Sequence, residues 1–250
     1  MIIIKSHHEL QLMREAAKVT AHILEMMDEI IRPGITTSEI DHIVEKEIRK
    51  HNMIPAFKGY GGFPGSICAS VNEMIVHGIP SDRKLAEGDI ISIDTGTIYK
   101  GYYSDAARTY PVGNVSDEAK KLIQVTKESF FEGLKYCREG YRLGDVSHAI
   151  QTHVESNGFA VVKDFVGHGI GSNMHEDPQI PNYGKAGRGP RLEAGMVLAI
   201  EPMVNVGTDE MMVLEDEWTA VTLDGSLSAH YENTVVITHG EPEILTLLEH

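Results

Sequence analysis

Cysteine is nearly missing from this chain: 250 residues hold only Cys68 and Cys137, with no C-x-x-C pair. A disulfide framework is therefore excluded, and the scarcity fits a reducing cytoplasm. Long apolar runs are missing too. None approaches the roughly 20 residues of a membrane span, and the opening Met1-Ile2-Ile3-Ile4-Lys5 is too short for a signal-peptide core. Positive charge is also scarce, 22 Lys and Arg against 37 Asp and Glu, for a formal net charge of −15. No basic cluster is long enough to track a phosphate backbone, which argues against nucleic acid as a specific partner. The expectation is a cytoplasmic protein that binds neither membrane nor nucleic acid. What remains is ordinary soluble composition, 42% hydrophobic and 24% charged, on a chain long enough to bury a substantial core. The closing Leu248-Glu249-His250 reads as an expression-tag remnant.

The sequence repeats itself. Ser6-x-x-Glu9 is a capping box followed by Leu10, Met13 and Ala17 at helical spacing, and that helix should stop near Arg32-Pro33-Gly34. Thr36-x-x-Glu39 opens a second helix with Ile40, Ile43, Val44 and Ile48 on one face. Residues 117–138 repeat the long helix, stopping at Gly140, and residues 145–157 repeat the short one. Gly34 matches Gly140, Ile40 matches Val146, Val44 matches Ile150 and Ile48 matches Val154, all at one offset. Further on, Leu85-Ala-Glu-Gly-Asp-Ile-Ile-Ser-Ile-Asp94 lies alongside Leu192-Glu-Ala-Gly-Met-Val-Leu-Ala-Ile-Glu201. His77-Gly78-Ile79 answers His168-Gly169-Ile170, and Asp105 answers Glu232. The expected fold is α+β, one domain over residues 1–247 built of two related halves (6–115 and 116–247), with a functional site on the pseudo-two-fold axis.

The matching points fall on polar residues inside apolar strands. Asp94 ends Ile90-Ile-Ser-Ile93, and a hairpin centred between Tyr99 and Lys100 would set it directly across from Asp105. Cross-strand Cβ atoms lie about 4.5–5.5 Å apart, so two ionised carboxylates there need a shared proton or a cation. Glu201 and Glu232 add a third and a fourth. Any one of them alone reads best as a strand-end acid reaching solvent, since charged groups are rarely buried. Brought together by the repeat, four acids call for more than one cation, and two bridged divalent ions about 3.5–4 Å apart form the hydrolytic two-metal arrangement. His168, between Gly167 and Gly169, is the natural nitrogen ligand. Oxygen ligands with one imidazole suit Mn, Fe, Co or Zn without choosing among them. The glycines around His168 match neither a P-loop nor a dinucleotide fingerprint. Of the other histidines, His77 and His175 stand apart in Gly/Pro-flanked segments near the repeat.

At these residues the chain resembles the pita-bread metallohydrolases, and most closely the type I methionine aminopeptidases of the short bacterial form. Gly65-Ser-Ile-Cys-Ala-Ser-Val-Asn-Glu-Met-Ile-Val-His-Gly-Ile-Pro80 and Gly167-His-Gly-Ile-Gly171 carry the likeness, which spans essentially the whole sequence. Its fold is an antiparallel sheet covered by helices. The resemblance implies two metals held by Asp94, Asp105, His168, Glu201 and Glu232, and attack of a metal-bridging water on the peptide bond after an N-terminal methionine. It implies Glu201 as proton shuttle, His175 as oxyanion stabiliser and His77 as a contact near the scissile bond. Tyr60, Phe63, Cys68 and Trp218 would wall the methionine pocket, with Phe57 and Met174 beside them where better-known bacterial members carry Cys and Phe. Without the resemblance these apolar residues read as core. It further implies a monovalent cation on loop carbonyls of Asn72, Met74 and Ser228. The implied partners are the N-termini of nascent polypeptides, with possible ribosome association and action as a monomer.

Three rivals share parts of this pattern. Proline-specific peptidases use the same ligand set behind a large N-terminal domain, whereas this catalytic unit starts near residue 1. A metal-free pita-bread binding module would have lost several of the five ligands. Structural calcium would want EF-hand spacing and no histidine.

Overall fold

The computed structural model describes residues 1–248; of the expected tag remnant 248–250, the last two residues lie outside the described part. The described residues form four α-helices, α1 (His7–Ile30), α2 (Thr37–Lys50), α3 (Asp117–Leu134) and α4 (Leu143–Ser156). Both capping boxes form. Ser6 N–H donates to Glu9 Oε2 at 2.7 Å while Glu9 N–H returns to Ser6 Oγ, and Thr36 and Glu39 do the same. α1 buries Leu10, Met13, Ile23, Leu24 and Met27 against the sheet, each worth about 1.5–3 kcal/mol relative to an exposed position. α3 ends before the expected residue 138. Past Gly133 and Leu134 the amides turn back three or fewer residues rather than four, which unwinds the last turn ahead of Gly140.

The helices cover a nine-stranded sheet that is antiparallel throughout. Its centre runs Ile90–Tyr99, Tyr102–Pro111, Glu232–Val236, Val197–Ile200 and Gly167–Gly169. The repeat is visible in the backbone. Gly34 and Gly140 share a left-handed φ (91° and 94°), and so do Gly88 and Gly195 before their strands (93° and 91°). Single bridges Thr36–Lys84 and Arg142–Arg191 tie each helix pair to its strand-leading turn. Tyr102–Pro111 and Glu232–Val236, the strands that carry the matching Asp105 and Glu232, pair directly as antiparallel neighbours.

One register differs from expectation. The hairpin turns on Lys100-Gly101, both at positive φ (47° and 85°), and Tyr99 pairs with Tyr102. Two consecutive left-handed residues match the right-handed strand twist. Asp94 therefore faces Ala107, and Asp105 faces Gly96. The two acids are diagonal neighbours on one face instead of direct partners. Gly96 admits no side chain, because a Cβ there would meet Ser104 O at 2.3 Å.

The strand Ile67–Val71, which carries Cys68, is anchored from α2. The Asp41 carboxylate accepts the Ser66 and Ile67 amides at 2.7 and 3.0 Å. Burial pushes this carboxyl up while those two amides pull it down. Asp41→Ala leaves two buried donors unsatisfied, and a loss of about 1–3 kcal/mol is expected. Urea denaturation of the variant reads it directly; an unchanged midpoint would remove the anchor role.

Candidate dinuclear metal centre

Each acid sits on, or directly after, a strand of the central sheet. Asp94 and Asp105 project from the hairpin, Glu201 follows Val197–Ile200, and Glu232 begins the strand paired to both. They converge on one buried point. His168 Nε2 lies 3.7 Å from Asp105 Oδ2 and 3.6 Å from Glu201 Oε1. The other His168 nitrogen, Nδ1, donates to Gly169 O at 2.9 Å, which leaves the Nε2 lone pair facing the acids. Gly169 is required for this approach, since a Cβ there would sit 2.1 Å from Asp177 O.

The electrostatics are those of an uncompensated anion cluster. Burial raises Asp94 to about 7 and Glu201 to about 8. Burial first, and the neighbouring acids second, push Asp105 and Glu232 well above the carboxylate range. Burial likewise lowers His77 and His168 to about 4, so both imidazoles are neutral and able to accept. Among the described residues, Asp94 Oδ1, Asp105 Oδ1 and Glu232 Oε1 are buried with no hydrogen-bond partner. A buried unpaired oxygen is costly, and several converging on one point fit a cation. Ligating atoms fall into two sets, each within 4.8 Å: Asp94, His230 and Glu232, and Asp105, His168 and Glu232. Glu232 belongs to both.

His230 is the residue that sequence reasoning missed. It is buried, with Nε2 unpartnered at 3.6 Å from Glu201 Oε2 and 3.7 Å from Glu232 Oε2. The available signal was its place two residues before Glu232, which on an extended chain gives both the same face. Arg108 was also unmarked. Its buried guanidinium donates to Glu232 O at 2.5 Å and Asn233 Oδ1 at 2.6 Å and stacks 4.2 Å over Tyr231. The strand bearing Glu232 is thereby held in place.

The acids floor a cleft of about 160 Å³. Tyr60, Phe63, Cys68 and Trp218 line it, and so do Phe57 and Met174. Phe63 and Trp218 meet edge to face at 5.1 Å. His77, at φ 61°, holds a left-handed conformation uncommon for a non-glycine residue and packs on Phe165 and Trp218. His175 stacks 4.3 Å from His168, and its Nδ1 meets Tyr60 OH at 2.7 Å. The buried ion pair Lys5–Glu176, 2.5 Å, secures the loop behind His175. Asn72, Met74 and Ser228 lie outside this cleft but close together: Ser228 N–H donates to Asn72 O at 2.9 Å, and the strand starting at Met74 runs beside that of Ser228.

The model of metallopeptidase family M24 matches residues 11–239. The chain belongs to family M24. Among relatives in the family, a methionine aminopeptidase of Clostridium acetobutylicum is 58% identical, with all of both chains covered. Methionine aminopeptidase 1 of Bacillus subtilis is 55% identical over 98% of this chain and 99% of its own. The crystal structure of the Thermotoga maritima methionine aminopeptidase superposes with a TM-score of 0.97 at 49% identity, covering 99% of this chain and 100% of that one. The prolidase of Pyrococcus furiosus shares the fold at a TM-score of 0.75 and 22% identity; this chain spans 66% of it. The pita-bread fold is thus that of M24, and the buried acids and histidines are its candidate divalent-metal site.

Proposed function

We propose that this protein is a metal-dependent methionyl aminopeptidase that removes the N-terminal methionine of nascent proteins in the cytoplasm, acting as a monomer. The observation that carries the reading is the buried set of four carboxylates and neutral imidazoles opening onto an apolar cleft, in a chain 58% identical to a methionine aminopeptidase. Asp94, Asp105, His168, Glu201 and Glu232 would hold two divalent ions, drawn from Co, Mn, Fe or Zn. His230 adds a sixth side chain beside Asp94. The ions, when bound, supply an activated water and polarise the scissile carbonyl.

The remaining roles fall to side chains. Glu201, which faces the cleft beside His168, takes a proton from the attacking water and passes it to the leaving amine. His175 donates a hydrogen bond to the carbonyl oxygen as charge develops there, oriented by Tyr60. His77, which also lines the cleft, contacts the substrate beside the scissile bond. Phe63, Cys68, Trp218, Phe57 and Met174 exclude water and fit an unbranched thioether; Met174 can adjust to it as a flexible partner. Asn72, Met74 and Ser228 offer main-chain oxygens to a monovalent cation. Docking near the ribosomal exit fits such a substrate.

Paired tripeptides test the reading. Metal-free protein given Mn²⁺ or Co²⁺ is expected to release methionine from Met-Ala-Ser and to leave Ala-Pro-Ala intact. Cleavage of the proline peptide instead would place the protein among proline-specific peptidases. Cleavage of neither would leave a binding module.

A further inference from the structure

A second cluster of metal-ligating side chains lies on the surface, at the seam of α1 and α2. His22 of α1 reaches Glu47 of α2, Nε2 to Oε1, at 3.6 Å. His51, just past the end of α2, reaches the same Glu47 oxygen at 3.2 Å. The two rings stand edge to face with centroids 6.0 Å apart, and one ligating atom from each of the three residues lies within 4.8 Å of the others. Bonds of about 2.1 Å to nitrogen and oxygen place tetrahedral ligand atoms about 3.4 Å apart, the spacing these contacts bracket. The imidazoles are open to solvent, 46% and 40% exposed, so an ion can enter without unfolding anything.

The internal repeat supplies a control. At the offset that maps Gly34 onto Gly140, His22 corresponds to Glu128 and Glu47 to His153. That second pair forms as well, 3.2 Å apart between α3 and α4, with donor and acceptor exchanged. Two ligands pinning a helix pair are therefore a structural feature of both halves. The difference is the third position: His51 corresponds to Asn157. Both residues cap their helices with the same backbone (φ −83°, ψ 8° and φ −92°, ψ 0°). Only the first half presents a second imidazole there. We infer that His22, Glu47 and His51 form a surface site for a borderline divalent ion such as Zn²⁺ or Ni²⁺, separate from the catalytic cleft and bridging α1 to α2. Two nitrogens and one oxygen suit that class of ion, and water fills the open positions. The competing partner is the Lys50 ammonium, 3.1 and 3.2 Å from the Glu47 oxygens; it is exposed, and such surface pairs are weak.

The test titrates Ni²⁺ into the full chain by calorimetry and counts ions bound, for wild type, H51N and H22N. The catalytic centre contributes equally to all three. Wild type is expected to take up one ion per chain more than either variant, and nickel is expected to perturb the His22 and His51 imidazole resonances of the wild type. Both variants should hydrolyse Met-Ala-Ser at the wild-type rate, since neither residue lines the cleft. Equal nickel uptake by wild type and H51N overturns the site.

Discussion

Glu232→Ala and Glu232→Gln are expected to fold and to lose methionine release by about 10²–10³-fold or more, the scale of removing one preorganised catalytic group. Glu232 belongs to both sets of ligating atoms, so no other single acid substitution should disturb two ions so directly. The loss should appear in turnover and in the number of ions bound, not in circular dichroism. Glutamine keeps the volume and, through its side-chain oxygen, one weak ligand, but it carries no charge. In metal-free protein at pH 8 the Gln variant should melt above the wild type, because a carboxyl that burial and the neighbouring acids push well above its ordinary range is replaced by a neutral group. Metal-free Asp105→Asn should likewise melt above the wild type at pH 8, because Asp105 is also pushed well above the carboxylate range and itself raises Glu232. A folded Glu232→Ala protein with near-normal turnover would end the two-metal account.

Metal-free protein is expected to lose stability as pH rises from about 6.5 to 8.5, and divalent metal to restore it. Asp94 and Glu201 take up protons near 7 and 8 in the native state, against about 3.9 and 4.3 in an unfolded chain. Groups whose native value is raised stabilise fully below the unfolded value and stop doing so as pH climbs through the native one. His77, His168 and His230, lowered to about 4 by burial, act in the other direction. They favour the native state above about 6.5 and progressively less below it, so the two effects oppose each other between about pH 4 and 6.5. Above that window only the carboxyls still titrate. Each contributes up to about 1.4 kcal/mol per pH unit, so a drop of several degrees in Tm is expected for a chain of this size. Scanning calorimetry of chelator-treated protein measures it. A flat or rising Tm across the window, or no upward shift with Mn²⁺ at pH 8, would refute the picture of buried acids awaiting a cation.

What could be read without coordinates was whatever depends on neighbours in sequence or on the repeat. The capping boxes at Ser6 and Thr36 are local hydrogen-bond chemistry, and the helices began where they said. Asp94, Asp105, Glu201 and Glu232 stood out because a charge inside an apolar strand is expensive, and because the two halves placed them at matching points. The meeting of all four in one cleft follows from that symmetry. Tertiary structure decided the rest. The Asp94–Asp105 register turned on whether Lys100 would accept a left-handed φ, an energy difference small enough for sheet twist to settle. His230 had one local mark, its place two residues before Glu232, and only its burial against Glu201 and Glu232 shows what it faces. Arg108 reads as one more strand arginine until its guanidinium is seen behind Glu232. The triad of His22, Glu47 and His51 joins two helices whose faces meet only after each has packed on the sheet. Sequence by itself determined which side chains the chain must satisfy; distances between residues far apart in the chain decided which partners satisfy them, because those distances depend on how every element packs at once.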